Sequence, residues 1–127
     1  MKVLVADDHP ANRNLLRMMI TALGHEVDLA EDGASACELT ARASYDLLLL
    51  DLHMPGMSGL AVIEALRARE ARPPRVVIIT ADVSPQSHRD CLAAGADDVQ
   101  TKPIDVAKLI LILAASEPTP RFCAKSR

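Results

Sequence analysis

The stretch LLLLDLHMPGMSG, residues 47–59, places a carboxylate directly after the most apolar run of the chain. Four consecutive leucines are typical of a strand that is buried on both faces, as in the interior of a parallel sheet. The residues after Asp51 include proline, glycine and serine, which favour a loop. A charged group at the end of a buried strand is costly unless other groups compensate it. Either the rest of the sequence supplies a partner for Asp51, or Asp51 is simply the first exposed residue of a loop.

Apolar runs alternate with amphipathic segments along the chain. Strands are predicted over residues 2–6, 26–30, 46–50, 75–80 and 97–101. Helices are predicted over residues 10–23, 33–42, 59–69, 84–95 and 104–115. Five strands that alternate with five helices indicate an α/β fold, with one parallel sheet that helices cover on both faces.

The composition fits one domain with an aliphatic core. The chain has 127 residues, half of them hydrophobic, and its only aromatic residues are Tyr45 and Phe122. The formal net charge is −3, and the sequence contains neither a basic run nor an aromatic stacking surface. These features argue against nucleic acid as a partner. We expect the domain to span residues 1–116, and residues 117–127, with two prolines and no periodicity, to form a disordered tail or the start of a linker.

The cysteines and the apolar segments indicate a cytoplasmic location. Cys37, Cys91 and Cys123 are widely spaced and odd in number, and they match neither a disulfide framework nor a zinc-ligand spacing. They are therefore expected to be reduced thiols. We also expect no signal peptide and no membrane segment, because the first apolar run is too short and no later run reaches membrane-spanning length.

Polar side chains follow four of the five predicted strands. Asp7 and Asp8 follow the first, Asp51 the third, Thr80 ends the fourth, and Lys102 follows the fifth. A single aspartate after a strand is usually a turn former, and a single lysine is usually a solvated surface residue. The carboxyl ends of parallel strands, however, meet at one edge of the sheet, where such folds bind their ligands. We therefore expect these five side chains to lie together.

This set of residue types is suited to phosphoryl transfer. Clustered carboxylates repel one another and favour a bound cation, and an all-oxygen ligand set favours Mg²⁺. A carboxylate such as Asp51 can attack phosphorus and become an aspartyl phosphate. Mg²⁺, the Lys102 ammonium and the Thr80 hydroxyl can then stabilise the charge of the transferred group.

At these residues the sequence resembles the receiver domains of two-component response regulators, the family that includes the chemotaxis response regulator. The resemblance runs from about residue 2 to residue 115. It is carried by VADDHPANR (5–13), LLLLDLHMPGMSGL (47–60), VVIITA (76–81) and AAGADDVQTKPI (93–104). The segment DDHPANRNLL (7–16) also resembles receivers attached to hybrid histidine kinases.

The resemblance implies a phosphorelay function on a flavodoxin-like (βα)5 fold with strand order 2-1-3-4-5. Asp51 would accept a phosphoryl group from a phosphohistidine on a sensor histidine kinase or a histidine phosphotransfer domain. Signalling or onward transfer and slow dephosphorylation would follow, so the domain would catalyse only its own phosphorylation and dephosphorylation. Thr80 and Lys102 would contact the phosphoryl group, and the Lys102–Pro103 bond would be cis. We expect a monomer.

The resemblance also implies a magnesium site. The side chains of Asp8 and Asp51 and the backbone carbonyl of His53 would bind Mg²⁺ directly, and Asp7 would act through water. The remaining histidines are expected to be ordinary surface residues: His9, His25 and His88.

One position departs from the family pattern. Receiver domains usually carry Tyr, Phe or His three residues before the lysine of the fifth strand, and here that residue is Val99. The rotamer switch of that aromatic ring, which reports phosphorylation in many members, therefore cannot operate. The phosphorylation chemistry is unaffected, but output through the fourth helix, the fifth strand and the fifth helix has to use other groups.

Two other functions compete with this interpretation. A magnesium-dependent phosphohydrolase with an aspartate nucleophile would carry a second aspartate two residues after the nucleophile as general acid, and that residue is His53. A degenerate receiver that acts only as a binding module would have lost Asp51 or Lys102, and both are present. The phosphoacceptor function is therefore preferred, with the phosphohydrolase as the alternative.

Overall fold

The computed structural model describes residues 1–69 and 74–116. Five parallel strands form one sheet in the order β2-β1-β3-β4-β5, which confirms the predicted topology. The strands are β1 (Lys2–Ala6), β2 (Glu26–Ala30), β3 (Leu47–Asp51), β4 (Arg75–Thr80) and β5 (Asp98–Thr101). The predicted tail, residues 117–127, lies outside the described residues.

Five helices cover the two faces of the sheet. They are α1 (Pro10–Ala22), α2 (Gly33–Arg42), α3 (Gly59–Arg69), α4 (Pro85–Ala94) and α5 (Val106–Ser116). Ser84 caps α4, since its hydroxyl accepts a hydrogen bond from the Ser87 amide at 3.2 Å. Within the described ranges, no helix has the length and apolar character needed to span a membrane.

Several element boundaries differ from the prediction by one or two residues, and at the starts of α5 and β5 an aspartate side chain binds the backbone. The helix α5 begins two residues later than predicted, since the Asp105 carboxylate accepts a hydrogen bond from the Lys108 amide at 2.8 Å. The strand β5 begins at Asp98, because the Asp97 carboxylate accepts a hydrogen bond from the Val76 amide at 2.7 Å. A side chain thus continues the contact to β4 where the ladder has not yet begun.

The core lies on both faces of the sheet, and β3 contributes to both. Leu48 and Leu50 pack with residues of α2, α3 and α4, whereas Leu47 and Leu49 pack with residues of α1 and α5. All four leucines are essentially inaccessible to solvent. Burial of each side chain contributes about 1.5–3 kcal/mol to the free energy of unfolding. The leucine run is therefore a central strand, and it holds the residue that follows it in a fixed place.

Candidate functional site

Asp51 is the last residue of β3, and its position is closely defined. The residue is only 6% exposed and pairs with Ile79 of β4 in the sheet register. The His53 backbone amide donates a hydrogen bond to Asp51 Oδ1 at 3.3 Å. On the other side, a Cβ atom at Gly59 would lie 2.7 Å from the Asp51 backbone oxygen, so α3 can begin this close to the strand only with glycine.

Lys102 supplies the compensating charge that Asp51 requires. Its Nζ lies 3.2 Å from Asp51 Oδ2 and 3.3 Å from Asp7 Oδ2, and it donates a hydrogen bond to each. Lys102 follows β5, and its backbone amide donates to the Thr80 carbonyl at 2.8 Å. The Lys102–Pro103 peptide bond is cis, as the resemblance implied. Three strand ends that are distant in sequence therefore meet in one ion-paired group.

The charges in this group affect one another. Burial raises the pKa of Asp51; the Lys102 ammonium opposes this rise, and the Asp7 carboxylate adds to it. Burial lowers the pKa of Lys102, but the Asp51 and Asp7 carboxylates outweigh that effect and raise it overall. The lysine is thus a stable cation, although one ammonium cannot fully compensate two carboxylates that are both within 3.3 Å of it.

Asp7 and Asp8 complete an acidic cluster beside Asp51. One ligand atom from each of Asp7, Asp8, His9 and Asp51 lies within 4.8 Å of the others. Asp7 is 3% exposed, and its Oδ1 accepts a hydrogen bond from the His9 amide at 2.9 Å. Asp8 Oδ1 is buried and has no hydrogen-bond partner among the described residues. An unpartnered buried carboxylate oxygen next to other carboxylates fits a bound cation.

The net charge of the site fits a divalent ion. Three aspartates contribute −3 and Lys102 contributes +1, which leaves −2 when His9 is neutral. The carboxylate oxygens are the ligand type that Mg²⁺ prefers. The Asp8, Asp51 and Asp7 positions therefore fit the predicted magnesium site.

Thr80 lies at the same edge, where its backbone carbonyl accepts from the Lys102 amide, but among the described residues its hydroxyl bonds to neither charged side chain. It is the last residue of β4, is fully buried, and pairs with Thr101 in the register. Its Oγ1 accepts a hydrogen bond from the Asp82 amide at 3.0 Å, and no hydrogen bond joins it to Asp51 or Lys102 within the described parts of the chain. The hydroxyl hydrogen can be donated to a group bound between these residues.

The expectation for the histidines was only partly right. His9 is exposed, as predicted, but its Nδ1 lies 3.1 Å from Asp8 Oδ1. The only sequence signal for this contact is that His9 directly follows Asp7 and Asp8. His25 and His88 are half-buried, so the prediction that they are surface residues was wrong. The His25 ring lies 3.0 Å from the N-terminal amino group, and His88 Nε2 is buried in α4.

Solved structures of the same fold extend over nearly all of the chain. The receiver domain of the Francisella response regulator 1452 is 30% identical, with a TM-score of 0.84, and the alignment covers 91% of this chain and 94% of that one. The receiver domain of sensor histidine kinase PA1611 from Pseudomonas aeruginosa PAO1 is 31% identical, with a TM-score of 0.83 and coverage of 90% and 94%. That structure has a magnesium ion coordinated in its active site cleft.

Curated relatives are much longer than this chain. The sensory/regulatory protein RpfC of Xanthomonas campestris pv. campestris is 41% identical over 117 residues, which cover 90% of this chain but only 16% of RpfC. The chain thus spans about one sixth of that relative's length. Residues 3–114 match the family described as response regulator receiver domain. The strand order, the acidic strand ends and these matches together establish that the chain belongs to the response regulator receiver domain family.

Proposed function

We propose that the domain accepts a phosphoryl group on the Asp51 carboxylate from a phosphohistidine of a histidine kinase or a histidine phosphotransfer domain. The observation that carries this proposal is the position of Asp51. It stands at the end of a fully buried strand, 3.2 Å from the Lys102 ammonium and beside Asp7 and Asp8. The phosphoryl group then passes on within a phosphorelay, or it is slowly lost to water.

In the transfer step, an Asp51 oxygen attacks phosphorus as the bond from phosphorus to the imidazole nitrogen breaks. The electron pair of that bond stays on the histidine ring, and the product is an acyl phosphate on Asp51. Lys102 lies where its ammonium can neutralise the incoming phosphoryl oxygens, since it already contacts an Asp51 oxygen. The Thr80 hydroxyl is free to donate to a phosphoryl oxygen.

The acidic cluster would hold Mg²⁺ during this step. Asp8, Asp51 and the His53 carbonyl would bind the ion directly, and Asp7 would bind it through water. The ion would supply positive charge to the phosphoryl oxygens. Because the unliganded site has a surplus of negative charge, we expect the approach of a phosphoryl donor to be unfavourable without a divalent ion.

A partner that carries the phosphohistidine has an apolar surface available next to the site. A groove between α1 and the segment before α5 runs past Asp7 and Lys102, and Leu15, Pro103 and Ile104 line its apolar side. Leu15 is 53% exposed, and Met18 follows it on α1 at 60%. An amphipathic helix of a kinase or phosphotransfer domain could pack here and present its histidine to Asp51.

The phosphohydrolase alternative is less well supported. The residue two positions after Asp51 is His53, which is exposed and whose backbone amide binds the acceptor carboxylate. A hydrolase of that type would need a carboxylic acid there to protonate the leaving group.

Acetyl phosphate with Mg²⁺ tests the proposal without a partner protein. Intact-mass analysis should find one added phosphoryl group on the wild type and on Asp90→Asn, a control that removes an exposed carboxylate on α4. Asp51→Asn should take up none, and chelation of the metal should abolish uptake by the wild type. Equal incorporation by Asp51→Asn would refute the assignment.

A further inference from the structure

His9 is the one member of the acidic cluster that the magnesium site described above does not use. Its side chain is 68% exposed, and its Nδ1 lies 3.1 Å from Asp8 Oδ1 and 3.5 Å from Asp7 Oδ1. Asp8 Oδ1 nevertheless has no hydrogen-bond partner, so the imidazole is close to it without being aligned as a donor. Two ligand atoms at this separation are close enough to bind the same cation.

The distances match the ligand shell of a small divalent ion. In an octahedral shell with bonds of about 2.1 Å, adjacent ligand atoms lie roughly 3.0 Å apart and opposite ones about 4.2 Å apart. The His9–Asp8 separation corresponds to an adjacent pair. All four ligand atoms of the cluster lie within 4.8 Å of one another, so small side-chain rotations bring them onto one ion.

Lys102 and the His9 ring approach different oxygens of the cluster. Lys102 donates to Oδ2 of both Asp7 and Asp51. His9 approaches Oδ1 of Asp7 and of Asp8 instead. The lysine and the imidazole therefore do not compete for the same oxygens, and a cation can sit between His9, Asp8 and Asp51 while the ion pairs of Lys102 persist.

We propose that His9 is a nitrogen ligand of the metal site, and that it makes the domain prefer a first-row transition ion such as Ni²⁺ over Mg²⁺. Imidazole nitrogen is a good ligand for Ni²⁺ and Zn²⁺, whereas Mg²⁺ strongly prefers oxygen. The added nitrogen increases affinity for the transition ion and does little for Mg²⁺. This inference rests on the metal site of the proposed function, and it goes beyond that proposal in assigning the ion preference to one side chain.

The test compares Ni²⁺ and Mg²⁺ affinities of the unphosphorylated domain by calorimetry at about pH 8, where an ordinary imidazole is neutral. His9→Ala should weaken Ni²⁺ binding on the order of tenfold and leave Mg²⁺ binding nearly unchanged, because one nitrogen ligand is lost. His25→Ala is the matched control, since it removes an imidazole that contacts the N-terminus and not the cluster. It should alter neither affinity.

A direct readout separates ligation from an indirect effect. Diamagnetic Zn²⁺ should shift the ring-nitrogen NMR signals of His9 in the wild type, and should no longer do so in Asp8→Asn. Equal losses of Ni²⁺ and Mg²⁺ affinity in His9→Ala, or unshifted His9 ring signals, would overturn the inference and leave the magnesium-dependent acceptor intact. Failure of the wild type to bind any of the three ions would instead count against the metal site of the proposed function.

Discussion

Two regions share one edge of the sheet but differ in construction. The acidic site is formed by Asp7, Asp8, Asp51 and Lys102. The response side is formed by residues 80–90 together with Val99. The acidic site has short charged contacts already in place, with Lys102 within 3.3 Å of two carboxylates. On the response side, Val99 is only half-buried and residues 83–86 are exposed. We therefore expect phosphorylation of Asp51 to use contacts that are already present in the acidic site. The structural response to phosphorylation should instead require residues of the response side to move.

The Lys102 amide of the acidic site donates a hydrogen bond to the Thr80 carbonyl of the response side at 2.8 Å, and further hydrogen bonds lead from Thr80 to α4. The Asp82 amide donates to Thr80 Oγ1, and the Asp82 carboxylate in turn accepts from the Ser84 amide at 2.9 Å. At the other end of α4, the Arg67 guanidinium donates to the Gly95 carbonyl and so ties that end to α3. The N-terminal end of α4 is therefore coupled to Thr80, and its C-terminal end is held.

The largest expected effect comes from removal of the Lys102 ammonium, which should stop the response side from responding to a group bound at the acidic site. Lys102→Met keeps the aliphatic stem but removes the ammonium, so a bound phosphoryl mimic loses its main protein cation. Beryllofluoride should then cause few or none of the amide shift changes on the response side that it causes in the wild type. The thermal unfolding midpoint should change much less. Lost stability with a normal response would show that the lysine serves the fold instead.

The second prediction concerns the cost of keeping Asp51 charged. Because burial raises the pKa of Asp51 above 3.8, the folded state holds this proton more tightly than the unfolded state does. The stabilisation that comes from binding this proton is fully present below about pH 3.8, and it is lost as the pH rises through the higher pKa of Asp51 in the folded state. Asp51→Asn should raise the unfolding midpoint by a few degrees at neutral pH and less at pH 4. Asp90→Asn, at an exposed carboxylate, should show no such gain.

A third, intermediate effect concerns position 99, where Val99 stands in place of the aromatic residue usual in receiver domains. Val99 is β-branched, half-buried against the core, and too short to fill space vacated by Thr80. Beryllofluoride shifts in the wild type should concentrate in residues 81–90 and remain modest. Val99→Tyr should spread them through α4, β5 and α5, whereas Val83→Tyr, at an exposed position, should not. Large wild-type changes throughout those elements, with new dimerisation, would show that a strong switch operates without the ring.

The smallest expected effect is on the lifetime of the aspartyl phosphate. His53 and Asp82 each lie two residues beyond a site residue, and both line a groove next to Asp51. Asp82→Asn and His53→Asn should change the dephosphorylation rate by a few-fold, because either side chain can position or repel an attacking water. Phosphate release after removal of the donor measures this rate. Identical rates in both variants and the wild type would exclude this role.

The fold and the position of the acidic site were predictable because they follow from strong local signals. The leucine run of β3 and the polar residue at each strand end are visible in sequence, and the rule that parallel strands end at one edge brings those residues together. The starts of β5 and α5 were not predictable. They depend on whether Asp97 and Asp105 bind backbone amides, and the partner of Asp97 is Val76, in another strand.

The approach of His9 to Asp8 also could not be predicted from spacing. Adjacent residues after a strand point in directions that the backbone turn decides, and here the His9 amide binds Asp7 Oδ1 and turns the ring toward the cluster. The partial burial of His25 likewise depends on a contact with the N-terminal amino group. Sequence patterns therefore identified the acidic residues but not the fourth member of their cluster.

The most direct test of the central claim is to identify the phosphorylated residue chemically. Borohydride reduces an aspartyl phosphate to homoserine, and peptide mapping after phosphorylation then locates the modified position. We predict homoserine at position 51 alone, because only Asp51 combines the end of the buried central strand with direct contact to Lys102. Homoserine at position 7 or 8, or at several aspartates in similar amounts, would contradict the assignment of Asp51 as the acceptor.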